Sequence, residues 1–185
     1  LQSQLEPHML FNTLAHLRAL IGQDSARALT MLDHLNDFLR TTLNASRQPQ
    51  HRLDVEFSRL HDYLSLMSIR MGPRLVFQLD LPSALAAAHV PTFILQPLVE
   101  NAIQHGLDLT VAGGRIAVQA RSEGSQLLLT VRDDGVGFDP EAARAKGHFG
   151  LLGMRERALR LGAVFELQSR SGEGCTVRVR LADAG

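Results

Sequence analysis

Leu10, Leu14, Leu17 and Ile21 recur at intervals of three and four residues. At about 100° per residue they gather into a ~60° stripe, which predicts a helix. His8, Asn12 and Ala15 fall on its opposite side. Gly22 to Ser25 (GQDS) couples a helix-ending glycine with capping side chains, and a second apolar series follows at Leu29, Leu32, Leu35, Leu39 and Leu43. The two series predict an antiparallel helical hairpin. Two helices of this length do not enclose a core, so the stripes imply pairing with a second copy into a four-helix bundle. Asn44 to Gln50 (NASRQPQ) is polar, contains a proline and reads as a linker, and a third helix is expected from about Asp54 to Met71, closed by Gly72 and Pro73.

Beyond Pro73 the period changes from helical to alternating. Leu75, Phe77 and Leu79 alternate as in a strand, as do Ile116, Val118 and Ala120, and Leu127, Leu129 and Val131, the last two sets being joined by the turn SEGS. Helices are expected over Phe93 to His105 and Gly150 to Leu161, and strands over Val164 to Gln168 and Thr176 to Leu181. The fold class predicted is α+β: a helical hairpin over residues 1–47, then a unit over 51–185 that starts with a connecting helix at 51–71 and carries a mixed, mostly antiparallel sheet with helices on one face.

Composition narrows the functions. The chain has 185 residues, and Lys+Arg and Asp+Glu number 19 each, so there is no basic footprint for nucleic acid. The lone Cys175 excludes an internal disulfide and suits a reducing compartment. No apolar run reaches the roughly 18 residues needed to span a bilayer. The chain starts at Leu1 in mid-pattern, so a sensor or membrane region is expected upstream, with this part in the cytoplasm.

The Walker pattern G-x-x-x-x-G-K-[ST] is absent, Lys146 is the only lysine, and no histidine pair has metal-protease spacing. What remains is a distributed set: PLVENAIQHG on a helix, VRDDGVGF at a strand end, GHFGLLGMRER leading into a helix, and SGEGCTVRVRL near the end. In order and separation this set resembles the ATP-binding domain shared by histidine kinases, gyrase-type topoisomerases and Hsp90-type chaperones, the Bergerat-type α/β sandwich. With PHMLFN at the amino end, the whole chain resembles the transmitter core of LytS-type sensor histidine kinases.

The resemblance implies that His8 accepts phosphate, that ATP and Mg²⁺ are bound, that the chain forms a homodimer, and that a response regulator receiver domain takes the phosphate from His8. It makes Asn101 the Mg²⁺ ligand, Asp133 the acceptor for the adenine amine, and Gly135 and Gly137 the D-x-G-x-G glycines that let the backbone approach the base. Glu100 would order metal-bound water or position His8, and His105 would face the phosphates. Asn12, one turn beyond His8, would orient water for dephosphorylation. The segment between Phe138 and Gly150 would form a lid, with Gly147, Gly150, Leu151 and Gly153 at the start of the following helix, whose amides favour phosphate. This segment is more similar to the NarX and DegS branch, and His148 stands where the first glycine of a G-x-G-L pattern is expected. Cys175 occupies the usual place of a threonine that supports the adenine-binding Asp, so that support would be weakened or pass to Thr176. Gyrase-type and Hsp90-type ATPases carry a water-activating glutamate one turn before the Asn. Here that residue is Pro97, which favours transfer over hydrolysis. A nucleotide-binding module that signals without catalysis, or a phosphatase-dominant transmitter, is the competing reading.

Overall fold

The computed structural model describes residues 7–45, 49–141 and 149–182. The first helix, α1 (Pro7–Ile21), starts at the proline, where the missing N–H would have had no partner in the helix. It turns at Gly22 into α2 (Ser25–Ala45), whose first turn is held by the Asp24 carboxylate accepting from the Arg27 amide at 3.0 Å.

The face that packs within the chain differs from the expected leucine stripe. Met9, Thr13 and Leu20 of α1 and Ala28, Met31, Leu35, Phe38 and Thr42 of α2 are buried, whereas Leu14, Ile21, Leu29 and Leu43 are exposed. Each helix thus has two apolar faces. The inner face of α1 packs on α2, and that of α2 is covered by α3 (Leu53–Met71), which the sequence had not assigned to the hairpin: Phe38 and Tyr63 meet with ring centroids 5.6 Å apart, and the Arg27 guanidinium donates to the Ile69 carbonyl at 3.0 Å. The outer face, with Phe11 70% and Leu29 63% exposed, is left uncovered by the described residues.

α3 is buried around most of its circumference because it lies between the hairpin and the sheet. It ends at Gly72, whose φ of +62° favours glycine, and Pro73 follows. Strand β2 (Leu75–Asp80) pairs in parallel with β4 (Gly114–Glu123). The strands β5 (Gln126–Asp133), β7 (Cys175–Ala182) and β6 (Val164–Ser169) continue the sheet antiparallel, in the order β2-β4-β5-β7-β6. Alternation sorts the faces. Ile116, Val118, Leu129, Val131, Val177 and Val179 are buried on the helix side. Arg178 and Arg180 lie on the other, where they meet Gln168 and Glu166. The expected mixed sheet with helices on one face is the sheet observed.

Two short elements escaped the pattern. Strands β1 (Gln50–Arg52) and β3 (His89–Pro91) pair antiparallel and tie the start of α3 to the segment before α4. The helix expected over Phe93 to His105 is shorter and in two parts. Phe93 adopts φ +62°, so α4 (Gln96–Asn101) starts three residues later, with Pro97 in its first turn. From Ala102 to Leu107 it widens into a π turn, closed by the Asp108 amide donating to the Ile103 carbonyl at 2.8 Å. The last helix is α5 (Phe149–Arg160).

Candidate functional site

The π turn at the end of α4 closes onto the end of β5, and the contact is made by glycines. A Cβ on Gly106 would sit 2.8 Å from Asp133 Oδ1, and a Cβ on Gly135 would collide with the Gly106 carbonyl. The Val136 amide donates to that same carbonyl at 3.1 Å. This corrects the expected role of the D-x-G-x-G glycines. Gly135 is small to admit Gly106. Gly137, at φ +55°, is small to admit the Arg170 carbonyl of the β6–β7 turn. Their space is filled by this chain's own backbone.

Asp133 is almost fully buried, and the Gly135 amide donates to its Oδ1 at 3.0 Å. Burial pushes its carboxyl up to about 6, with the Asp134 charge adding to this, while backbone hydrogen bonds from Gly135 and Cys175 work in the opposite direction. No cation compensates it in that balance, so the carboxylate has unused acceptor capacity in a dry setting. A neutral N–H donor such as an adenine amine fits that requirement.

Asp134 faces elsewhere, its Oδ1 accepting from the Arg115 amide at 2.5 Å. Register places Cys175 directly across from Asp133 on the buried face, and Thr176 across from Arg132 on the other. The expected hydroxyl support from Thr176 is therefore not formed. Ser169 takes over the local bonding: its Oγ donates to the Gly174 carbonyl at 2.9 Å and accepts from the Phe138 amide at 3.0 Å. The Cys175 thiol is pushed up to about 12 by burial and by the Asp133 charge, which makes it inert as a nucleophile.

Asn101 is the last residue of α4 and half-buried, five residues before Gly106. The π turn lies between it and the Gly106–Asp133 contact. No group of three or more His, Cys, Asp or Glu among the described residues could hold a metal, so a divalent cation here would take most of its oxygens from phosphate and water. The neutral Asn101 amide fits that partial role. His105 is exposed on the π turn, and Glu100 accepts from the Gln96 side-chain amide at 2.7 Å. Pro97 forms part of an apolar wall with Phe93, Ile94, Leu98, Met154 and Phe165.

His8 is the second residue of α1, and Asn12 is exposed one turn on. Gly150 and Leu151 lie in the first turn of α5 and Gly153 has open space around it. Gly147 and most of the expected lid lie outside the described residues. Sequence reasoning missed Gly106, Gly174 and Ser169, although HG in ENAIQHG and the second glycine of GEG were visible signals. It also missed the buried residues Glu56, Arg59 and Gln96, which nothing in the local pattern distinguishes from surface positions.

A buried carboxylate packed among glycines thus lies at the end of a mixed sheet, beside a helix bearing an Asn. Residues 90–185 match the family model described as Histidine kinase-, DNA gyrase B-, and HSP90-like ATPase, and residues 1–75 match the one described as Histidine kinase. Sensor histidine kinase BtsS of Escherichia coli K12 is 35% identical over 140 residues, 76% of this chain and 25% of the relative. Sensor protein LytS of Staphylococcus haemolyticus is 35% identical over 141 residues, 76% and 24% of the respective lengths. The chain thus spans about a quarter of the length of these relatives. Among solved structures, the histidine kinase domain of a blue-light activated histidine kinase from Erythrobacter litoralis superposes with TM-score 0.58 at 17% identity, over 92% of this chain and 83% of that one. The kinase AdeS of Acinetobacter baumannii superposes with TM-score 0.55 at 16% identity, over 96% and 98%. The chain belongs to the sensor histidine kinase family. No helix among the described residues is long and apolar enough to cross a membrane.

Proposed function

We propose that this chain is the transmitter core of a two-component sensor: it binds ATP at Asp133, passes the γ-phosphoryl group to His8, and yields it to an aspartate of a response regulator receiver domain. The observation that most supports transfer over hydrolysis is the placing of Pro97 in an apolar wall, one turn before Asn101, where hydrolysing relatives carry a glutamate. At position 97 itself there is no carboxylate to activate water.

In this reading the Asp133 carboxylate accepts from the adenine amine, and Asn101 Oδ1 is the protein ligand of Mg²⁺, which supplies charge neutralisation on the phosphates. The π turn fixes the spacing between the two residues. His8 attacks as a neutral imidazole, the form with a free lone pair on a ring nitrogen. A nitrogen–phosphorus bond forms as the bond to the ADP oxygen breaks, so positioning is most of what the protein contributes. Residues 1–47 would act as the dimerising and phosphoacceptor hairpin, 51–185 as the ATP-binding unit, and a region upstream of Leu1 would carry any membrane anchor.

Incubation with γ-labelled ATP and Mg²⁺ is expected to put label on the protein that survives alkali and is lost in acid, and His8→Gln is expected to abolish it. Label retained on that variant would place the acceptor elsewhere. Intact nucleotide binding with no label on the native chain would favour a binding module.

The outer stripe supports a homodimer. Each exposed leucine leaves about 2 kcal/mol of burial unrealised in the monomer, and Phe11, Leu14, Leu29 and Leu43 belong to one hairpin. The double variant Leu14→Glu, Leu29→Glu is expected to sediment as a monomer while keeping its helical circular dichroism. An unchanged dimer would move the interface off this face.

A further inference from the structure

Between α3 and α4 a connected set of polar side chains crosses a core otherwise made of leucine, methionine and phenylalanine. Glu56, Arg59 and Gln96 are each at most 2% exposed. Glu56 Oε1 accepts from the Leu95 amide at 2.9 Å and the Gln96 amide at 3.3 Å, capping the start of α4 from another helix. Its Oε2 meets His51 Nε2 at 2.7 Å and Arg59 Nη1 at 3.4 Å. Burial opposes the Glu56 charge, but the His51 hydrogen bond, the Arg59 charge and the Leu95 amide outweigh it and hold the carboxyl below its ordinary range. The Arg59 guanidinium lies 4.0 Å from the Phe93 ring centroid, and its Nη2 donates to Gln96 Oε1 at 2.5 Å. Gln96 Nε2 donates in turn to Glu100 Oε1 at 2.7 Å.

The polarity of this chain is forced. Arginine only donates, so the Gln96 carbonyl oxygen must face Arg59. Its NH₂ then faces Glu100, whose Oε1 accepts. Such an array is a poor choice for stability alone, since apolar residues of equal volume stabilise as well or better. What it does is fix one carboxylate oxygen in the residue preceding Asn101.

We infer that Glu56, Arg59 and Gln96 are positioning residues for phosphoryl transfer, a relay that orients the Glu100 carboxylate and the last turn of α4 bearing Asn101. This rests on the transfer reading above. It also gives α3 a double role, because the helix that touches the hairpin through Tyr63 grips α4 through Glu56 and Arg59.

The test is Gln96→Glu, in the full chain at saturating MgATP. The new carboxylate keeps an acceptor for Arg59, so the fold has its partner, but it offers Glu100 a like charge where it had a donor. The rate of His8 labelling relative to the native chain is expected to fall on the order of 10²-fold at pH 8.5, with MgADP affinity changed less than about threefold. Arg59→Met should show the same split between rate and affinity. A native rate in Gln96→Glu, or equal losses of rate and affinity, would overturn the relay. A native chain that takes no label would instead overturn the transfer reading and the relay with it.

Discussion

Asp133→Asn is expected to give a chain that is more stable than the native one above pH 6 and far poorer at holding ATP. The native carboxyl is raised from 3.8 to about 6 by burial. An acid raised on folding contributes stability in its neutral form, in full below about pH 4, and that contribution is lost as pH rises through about 6. At 1.36 kcal/mol per pH unit, ionising the buried group in the free chain costs about 3 kcal/mol at neutral pH. Asparagine has the same shape without the charge, so thermal unfolding of the variant should lack the decline between pH 4 and 6 that the native chain shows. Adenine binding runs the other way. A charged acceptor for the amine is worth roughly 1.5–3 kcal/mol, so titration with ATP at pH 8 should show affinity reduced about 10- to 100-fold in the variant. Native affinity should itself weaken below pH 6, about tenfold per unit, as the acceptor takes up a proton. A variant that binds ATP normally would remove Asp133 from the site. A variant that is less stable at pH 8 would contradict the charge as the source of strain.

Asn101→Ala is expected to abolish the benefit of Mg²⁺. The residue ends α4 and is half-buried, so truncation opens no cavity in the core. Losing one preorganised ligand for the charge that develops on the phosphates should lower the labelling rate on the order of 10²- to 10³-fold. Affinity for ADP without Mg²⁺ should hardly move, whereas the gain in affinity on adding Mg²⁺ should vanish. Loss of metal-free ADP binding would mean that Asn101 supports the pocket itself.

The sheet was legible in the sequence because each strand repeats one buried face at period two, and Ile116, Val118 and Val131 declare it locally. The strands Gln50–Arg52 and His89–Pro91 were not, since three residues make no period and each exists only through the other. For α1 the sequence showed an apolar stripe but not its destination. Leu10 and Leu17 flank the inner face that packs on α2, and α2 is in turn fixed by α3, distant in sequence. The π turn read as ordinary helix because its apolar positions suit either period. Asp133 was legible from the glycines around it, yet their reason was not: the close approach of Gly106 is a tertiary fact. Thr176 failed as an expectation because a strand alternates, and the neighbour of a residue facing Asp133 must face away. Glu56 and Arg59, three apart on a helix, carry no local mark of burial, because it is α4, distant in sequence, that covers them.

The most direct measurement is a rapid-quench single turnover, with γ-labelled ATP limiting over an excess of the chain and Mg²⁺ present. The account predicts that protein-bound phosphohistidine appears first and accounts for the ATP consumed, with inorganic phosphate following only later. Inorganic phosphate released in step with ATP loss, with no label passing through the protein, would contradict it and leave a hydrolysing ATPase in its place.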